Sequence, residues 1–155
     1  MRFRSLRLIN FRNYSDVQLD LDRPFTALVG SNGAGKTNLL EALHYLCLTR
    51  GYSTTTDAMN VRREENFFSI IGQVSRGNEN LEIRCSYENG KKSLHLNGKE
   101  CRRFADHIGR LPVVMIAPQD ISLVWETGEE RRRYMDQLIS QMDRGYLEDL
   151  VKYNH

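Results

Sequence analysis

The sequence is poor in the features that cross-link a chain, span a bilayer or repeat a unit. Its three cysteines, Cys47, Cys85 and Cys101, are odd in number and far apart, a spacing that offers neither a disulfide framework nor a metal-ligand set. They are expected to be reduced, packed thiols of a cytoplasmic protein. No apolar run approaches the roughly 20 residues of a membrane-spanning helix. The opening Met1-Arg2-Phe3-Arg4 leads into strand-like alternation rather than a signal peptide. No internal repeat, low-complexity tract or linker is present, and 155 residues suffice for one domain with a core. Charge of one sign is also missing: the net charge of +2 implies no nucleic-acid partner by itself. Seventeen of the 22 basic residues are arginine, with clusters at Arg2, Arg4, Arg7 and Arg12 and at Arg131-Arg132-Arg133. Such clusters suit phosphate contact or form a solvated face, and charge alone leaves both readings open.

What the chain does carry is Gly30-Ser31-Asn32-Gly33-Ala34-Gly35-Lys36-Thr37, a full match to the phosphate-cradling G-x-x-x-x-G-K-[ST] loop. Glycines let the backbone turn close to phosphate oxygens. Consecutive N–H groups and the start of the next helix then supply positive potential. Lys36 is expected to reach the β/γ-phosphates and the Thr37 hydroxyl to ligate Mg²⁺. Before the loop, the apolar run 24–29 predicts a buried parallel strand. After it, Leu39, Leu43, Leu46 and Leu40, Cys47 recur at helical spacing and predict an amphipathic helix over 36–48. Strand, loop and helix stand in the order the motif demands, so this stretch predicts a nucleotide site.

Around this centre, residues 2–9 and 16–22 predict two strands, the second alternating Val17, Leu19 and Leu21 with Gln18, Asp20 and Asp22. The connection 10–14 reads as a surface loop, too long for a two-residue turn. From 49 to 66 the pattern fails: Gly51, Ser53 and Thr54, Thr55 and Thr56 precede Arg62, Arg63, Glu64 and Glu65. A loop of this length either folds back over a bound nucleotide or is a plain surface insertion. Residues 67–97 predict an antiparallel meander, with hairpin turns at Asn89-Gly90 and Asn97-Gly98. A short helix is expected near 101–108 and a second buried strand over 111–117. Pro118-Gln119-Asp120 follows, an amide and a carboxylate placed either at a ligand site or at an ordinary strand exit. Thr127-Gly128-Glu129-Glu130 has capping-box spacing. Two helices then present Tyr134, Leu138, Met142, Met135 and Ile139, and Tyr146, Leu150, Tyr153, Leu147 and Val151, as core-facing stripes. The second is still amphipathic at His155, the expectation for a truncated chain. The fold class expected is α/β, a P-loop NTPase core with an antiparallel β subdomain.

The opening Leu6-Arg7-Leu8-Ile9-Asn10-Phe11-Arg12-Asn13-Tyr14 and the stretch from Gly30 through Asn38-Leu39-Leu40-Glu41-Ala42 resemble the RecF/SMC branch of ABC-type ATPases. Within that branch, Glu129-Glu130-Arg131-Arg132-Arg133-Tyr134-Met135-Asp136 and the following Tyr146, Leu150 and Tyr153-Asn154 resemble the RecF family. The resemblance covers essentially all 155 residues. It implies that residues 1–155 are the N-terminal lobe of an ABC/SMC-like ATPase head that binds ATP and Mg²⁺. It also implies a DNA replication and repair role on gapped or single-stranded DNA, recombinase loading with RecO and RecR, a part in the SOS response, and an ATP-dependent homodimer. Residue by residue, it implies that Arg12, Asn13 and Asn38 contact nucleotide together with Gly30, Ser31, Asn32, Gly33, Ala34, Gly35, Lys36 and Thr37. Lys36 and Gln119 are then the catalytic positions, and Thr37 and Gln119 the metal positions.

The family's signature motif and its apolar strand ending in an acidic pair lie further downstream. In residues 38–155 no run of four or more apolar residues precedes an acidic pair. ATP binding without efficient hydrolysis is therefore expected, with ATPase activity belonging to a full-length dimer. Two other classes stay open: a P-loop kinase with Arg62 and Arg63 as a lid, which the meander fits poorly, and an interaction module whose nucleotide state sets dimerisation without turnover.

Overall fold

The computed structural model describes residues 1–53, 56–77, 79–125 and 128–154. The alternating segments of its first part become β1 (Arg2–Phe11), β2 (Tyr14–Asp20), β3 (Phe67–Arg76), β4 (Glu79–Glu88), β5 (Lys91–Leu96) and the short β6 (Lys99–Glu100). All neighbours pair antiparallel, in the order β2-β1-β3-β4-β5-β6. The two Asn-Gly pairs set the register of the meander. Asn89 and Gly90 have φ of 49° and 80°, and Asn97 and Gly98 have 48° and 77°, the two positive values that a tight hairpin turn requires.

Period-2 alternation then sorts the side chains. Leu6, Leu8, Ile70, Ile83, Cys85 and Leu94 fall on one face and are fully buried. That face receives α1 (Lys36–Leu48). The approach is close: a Cβ on Gly72 would lie 2.7 Å from Leu46 Cδ1, so glycine is what lets the helix settle on β3. The far end of α1 is closed by Lys92, whose Nζ donates to Thr49 O at 2.8 Å and pairs with Asp57 Oδ2 at 3.0 Å. A cation at a helix C-terminus is favourably placed. Tyr45 Oη donates to the other oxygen of Asp57 at 2.5 Å.

Several expectations are corrected. The connection 10–14 is no extended surface loop: β1 and β2 run through it, Phe11 pairs with Tyr14, and only Arg12 and Asn13 turn. The segment behind it explains this, because Arg12 N donates to Asn60 O and Arg62 N to Asn10 O, both at 2.8 Å. Within 49–66, a 3-10 turn spans Asp57–Asn60, while Thr54 and Thr55 lie outside the described residues. The buried strands expected at 24–29 and 111–117 pair with no described strand. Phe25 and Val29 are 83% and 89% exposed, and Ile116 is 79% exposed. Apolar sequence supplies faces for burial, but a strand needs ladder partners for its N–H and C=O groups, and these segments have none among the described residues.

Contacts divide the chain into two units, Met1–Phe104 and Ala105–His155. In the second, the helix expected near 101–108 is only a 3-10 turn at Phe104–Asp106 on the boundary. A 3-10 turn at Pro118–Ile121 leads into α2 (Ser122–Trp125), followed by α3 (Gly128–Met142) and α4 (Arg144–Tyr153). The Thr127 cap and His155 lie outside the described residues. Asp143 caps α4 instead, its Oδ1 accepting from Tyr146 N at 3.0 Å, which satisfies an otherwise orphaned donor. Gln141 braces 113 from α3, accepting from Val113 N at 2.8 Å and donating to its carbonyl at 3.1 Å. The helical stripes are only half right: Leu138 and Ile139 are partly buried, whereas Met135, Met142, Val151 and Tyr153 are exposed. No described helix is long and apolar enough to cross a membrane. All three cysteines are free, and burial pushes the Cys47 and Cys85 thiols up to about 12.

Candidate nucleotide-binding site

The loop 30–37 joins the sheet unit to α1 through Gly35, whose φ of 101° only glycine adopts readily. Space demands glycine there as well. A Cβ on Gly35 would lie 2.5 Å from Asn13 Nδ2 and 2.7 Å from Tyr14 Oη. The turn between β1 and β2 therefore rests directly on the loop. Beside it opens a cleft of about 310 Å³, lined by Asn32, Gly33, Gly35, Lys36, Thr37 and Asn38, a volume in the range of small-molecule sites. Lys36 Nζ donates to Gly30 O at 2.8 Å and Ser31 O at 2.7 Å. The ammonium is thus carried at the mouth of the loop, where a polyphosphate would compete for it.

The residues expected from the first turn are brought to the same place. Asn13 Nδ2 donates to Ala34 O at 3.4 Å, and Asn13 Oδ1 accepts from Asn38 Nδ2 at 2.7 Å. Arg12 is 18% exposed and lies along α1. Its Nη1 donates to Asn38 Oδ1 at 3.2 Å, its Nε to Asn60 Oδ1 at 3.0 Å, and Nη2 lies 3.4 Å from Glu41 Oε2. Gln119 belongs to the second unit, exposed in the 3-10 turn after 111–117. Its neighbour Asp120 caps that turn, accepting from Ala117 N at 2.5 Å, which favours the strand-exit reading for the carboxylate.

Glu41, Tyr14, Ser53 and Asn60 were not among the expected site residues. Glu41 is 1% exposed and accepts from Tyr52 N and Ser53 N, each at 3.1 Å, and from the Ser53 hydroxyl. Leu40, assigned to the apolar stripe, is the exposed neighbour instead. The sequence carries a signal for Glu41, the one carboxylate in α1 and flanked there by Leu39, Leu40, Ala42 and Leu43. Behind it, His44 is buried with Nδ1 3.1 Å from Arg50 O, and desolvation holds its imidazole below the usual range.

The arginine clusters separate. On β1, Arg7 forks onto Asp16 at 3.0 and 2.7 Å and Arg4 binds Asp22, and these hydrogen bonds hold both carboxyls below their ordinary range. On α3, Arg131 donates to Leu123 O at 3.2 Å, Arg133 pairs with Glu129, and Arg132 is exposed.

A family model described as an AAA domain matches residues 5–145. The chain belongs to the AAA-domain family. Relatives of this AAA domain include the DNA replication and repair protein RecF of Salinibacter ruber, 41% identical over 155 residues, with 99% of this chain and 38% of that protein covered. RecF of Flavobacterium johnsoniae is 39% identical over 154 residues, covering 99% and 43%. The solved recombination mediator protein RecF-ATP of the RecFOR pathway superimposes with a TM-score of 0.92 at 30% identity, covering 99% of this chain and 42% of that one. The SMC head domain from Thermotoga maritima shares the fold, with a TM-score of 0.59 over 72% of this chain and 43% of that chain at 22% identity. These relatives bear out the RecF resemblance and the P-loop fold with its antiparallel sheet. The AAA domain spans about two-fifths of the length of the curated RecF relatives it matches.

Proposed function

We propose that this chain is the ATP-binding N-terminal lobe, residues 1–155, of an ABC/SMC-like head that serves DNA replication and repair. The observation that carries this reading is the loop 30–37: glycine at the strained helix entry, the Lys36 ammonium at its mouth, and a cleft beside both. Its backbone donors suit a polyphosphate. Thr37 lines the same cleft and offers a hydroxyl of the kind that Mg²⁺ takes beside phosphate. That ion would neutralise β/γ-phosphate charge. Arg12, Asn13 and Asn38 form the wall next to it, and Gln119 is assigned the metal-sensing role on the family pattern.

Its relatives are named for DNA replication and repair and for the RecFOR recombination-mediator pathway; on the family resemblance, the lobe acts on gapped or single-stranded DNA with RecO- and RecR-type partners. Homodimerisation around ATP, a link to the SOS response, cytoplasmic location and ATP turnover by the longer dimer belong to the same reading. The exposed Arg132 on α3 is the arginine best placed for DNA phosphates, since Arg4, Arg7 and Arg133 are already matched to carboxylates and Arg131 to a carbonyl. Calorimetric titration with Mg-ATP tests the core of the proposal. Lys36→Ala should lower ATP affinity at least about tenfold, the loss of one charge-assisted phosphate contact. Equal affinity in the two chains would remove the nucleotide reading. Turnover by the unmodified chain at a kinase-like rate would instead favour phosphate transfer to a small acceptor.

A further inference from the structure

We infer that Glu41 is a positioning residue for the phosphate-binding loop, acting through a polar relay that runs from the buried side of α1 to the Ala34–Gly35 peptide. The inference rests on the reading of 30–37 as a polyphosphate cradle.

The relay can be followed atom by atom. Glu41 is a buried carboxylate; two backbone N–H groups, from Tyr52 and Ser53, and the Ser53 hydroxyl hold it in place. Its Oε2 then lies 3.4 Å from Arg12 Nη2. A guanidinium has only donors, so the 3.2 Å contact of Arg12 Nη1 with Asn38 requires that Asn38 present its oxygen. That choice turns Asn38 Nδ2 outward, where it donates to Asn13 Oδ1 at 2.7 Å. Asn13 is then left with Nδ2 toward the loop, where it donates to Ala34 O at 3.4 Å. Each amide orientation follows from the one before, and the first is set by the Arg12 guanidinium, which Glu41 holds together with Asn60 Oδ1 at 3.0 Å and the Ser53 hydroxyl at 3.4 Å.

The last link matters because a trans peptide points its carbonyl and its N–H in opposite directions. Holding the Ala34 carbonyl on Asn13 turns the Gly35 N–H to the other side. Gly35 lines the cleft and opens α1, so its N–H is among the donors a phosphate would meet. Gly35 has no side chain to resist rotation, and its φ of 101° lies where glycine moves without steric cost, so the Asn13 contact restrains the Ala34–Gly35 peptide. Glu41 supplies that constraint from a distance. Its carboxylate is not part of the cleft lining.

The test is a double-mutant cycle on the full chain, read by Mg-ATP titration and by the ¹⁵N–¹H resonance of Gly35. Glu41→Gln keeps the volume and removes the charge paired with Arg12. It should weaken ATP about tenfold, the effect of one lost hydrogen bond to a charged group. Asn13→Ala should do the same, and the double variant should be no worse than the weaker-binding single, because both break one relay. In each variant the Gly35 amide shift induced by ATP should shrink toward its unliganded value while the Lys36 shift persists. Arg12→Lys provides a second route if Glu41→Gln unfolds: it keeps a cation beside Glu41 but loses the fork that reaches Asn38, and should show the same loss. Unchanged ATP affinity in Lys36→Ala would sink the cradle reading and this inference with it. Weakened binding in Lys36→Ala, with Glu41→Gln and Asn13→Ala fully additive, or with the Gly35 shift unmoved in Glu41→Gln and Arg12→Lys, would overturn the relay alone.

Discussion

Strand β4 and the segment 111–117 make an instructive pair. β4 is half polar, alternating Glu82, Arg84 and Ser86 with Ile83 and Cys85, yet both of the latter are fully buried. The segment 113–117 has no polar side chain at all, yet Val114 and Ile116 lie mostly in solvent. The largely apolar 24–29 behaves likewise, with Phe25 and Val29 exposed. Burial therefore does not track apolar content here; it tracks ladder partners. The strands of the meander obtain theirs across turns of two residues, whereas parallel strands need connections of a dozen residues or more. Local chemistry can complete the first kind of sheet and only distant chain can complete the second.

Single substitutions should separate these regions sharply. Ile70→Ala removes a fully buried side chain that pairs in register with Leu8 and Cys85. It should cost about 3 to 4 kcal/mol in urea unfolding; a loss below about 1 kcal/mol would mean that the sheet face is not the core. A smaller effect is expected at the helix packed on that face. The His44 imidazole is held below its usual range by burial, so the unfolded chain binds the proton more readily. Its contribution is fully present above the unfolded value near 6.5 and falls as pH drops below it, by at most about 1.4 kcal/mol per pH unit. Unfolding at pH 7.5 and 5.5 should show that dependence, and His44→Gln should reduce it; an unaltered slope would refute a buried neutral imidazole. The least effect is expected at the exposed segments. Phe25→Ser and Ile116→Ser should change the stability of this chain by about 0.5 kcal/mol or less, and a loss as large as that of Ile70→Ala would erase the distinction.

The site was legible in unequal parts. The loop 30–37 and α1 could be read directly, because the motif is local and each residue type has one reason to be there. Nucleotide contact by Arg12 and Asn13 is an expectation of family resemblance; the structure sets Asn13 against Ala34 of that loop and Arg12 against Asn38 of α1. Glu41 is not legible in this way, because helical periodicity places apolar stripes without saying which polar residue the neighbouring loop covers. The backbone donors of Tyr52 and Ser53 that cover it lie in a stretch without any pattern. The Arg131 cluster was visible as charge, but only the structure distinguishes Arg131, tied to a carbonyl, from the exposed Arg132.

By itself, then, the chain's order of residues determined what depends on near neighbours. The two Asn-Gly turns, the alternation of β1 and β3–β5, and the glycine loop opening a helix are all consequences of steric and hydrogen-bonding preferences that act over a few residues. The tertiary structure decided what depends on encounters between distant segments. It made a two-residue turn of Arg12 and Asn13 by bonding their strand to 60–62, buried Glu41 in place of Leu40, and left 24–29 and 111–117 without a ladder partner among the described residues. The physical reason is the same in each case: a backbone or carboxylate group must find a partner, and its own sequence neighbourhood does not contain one.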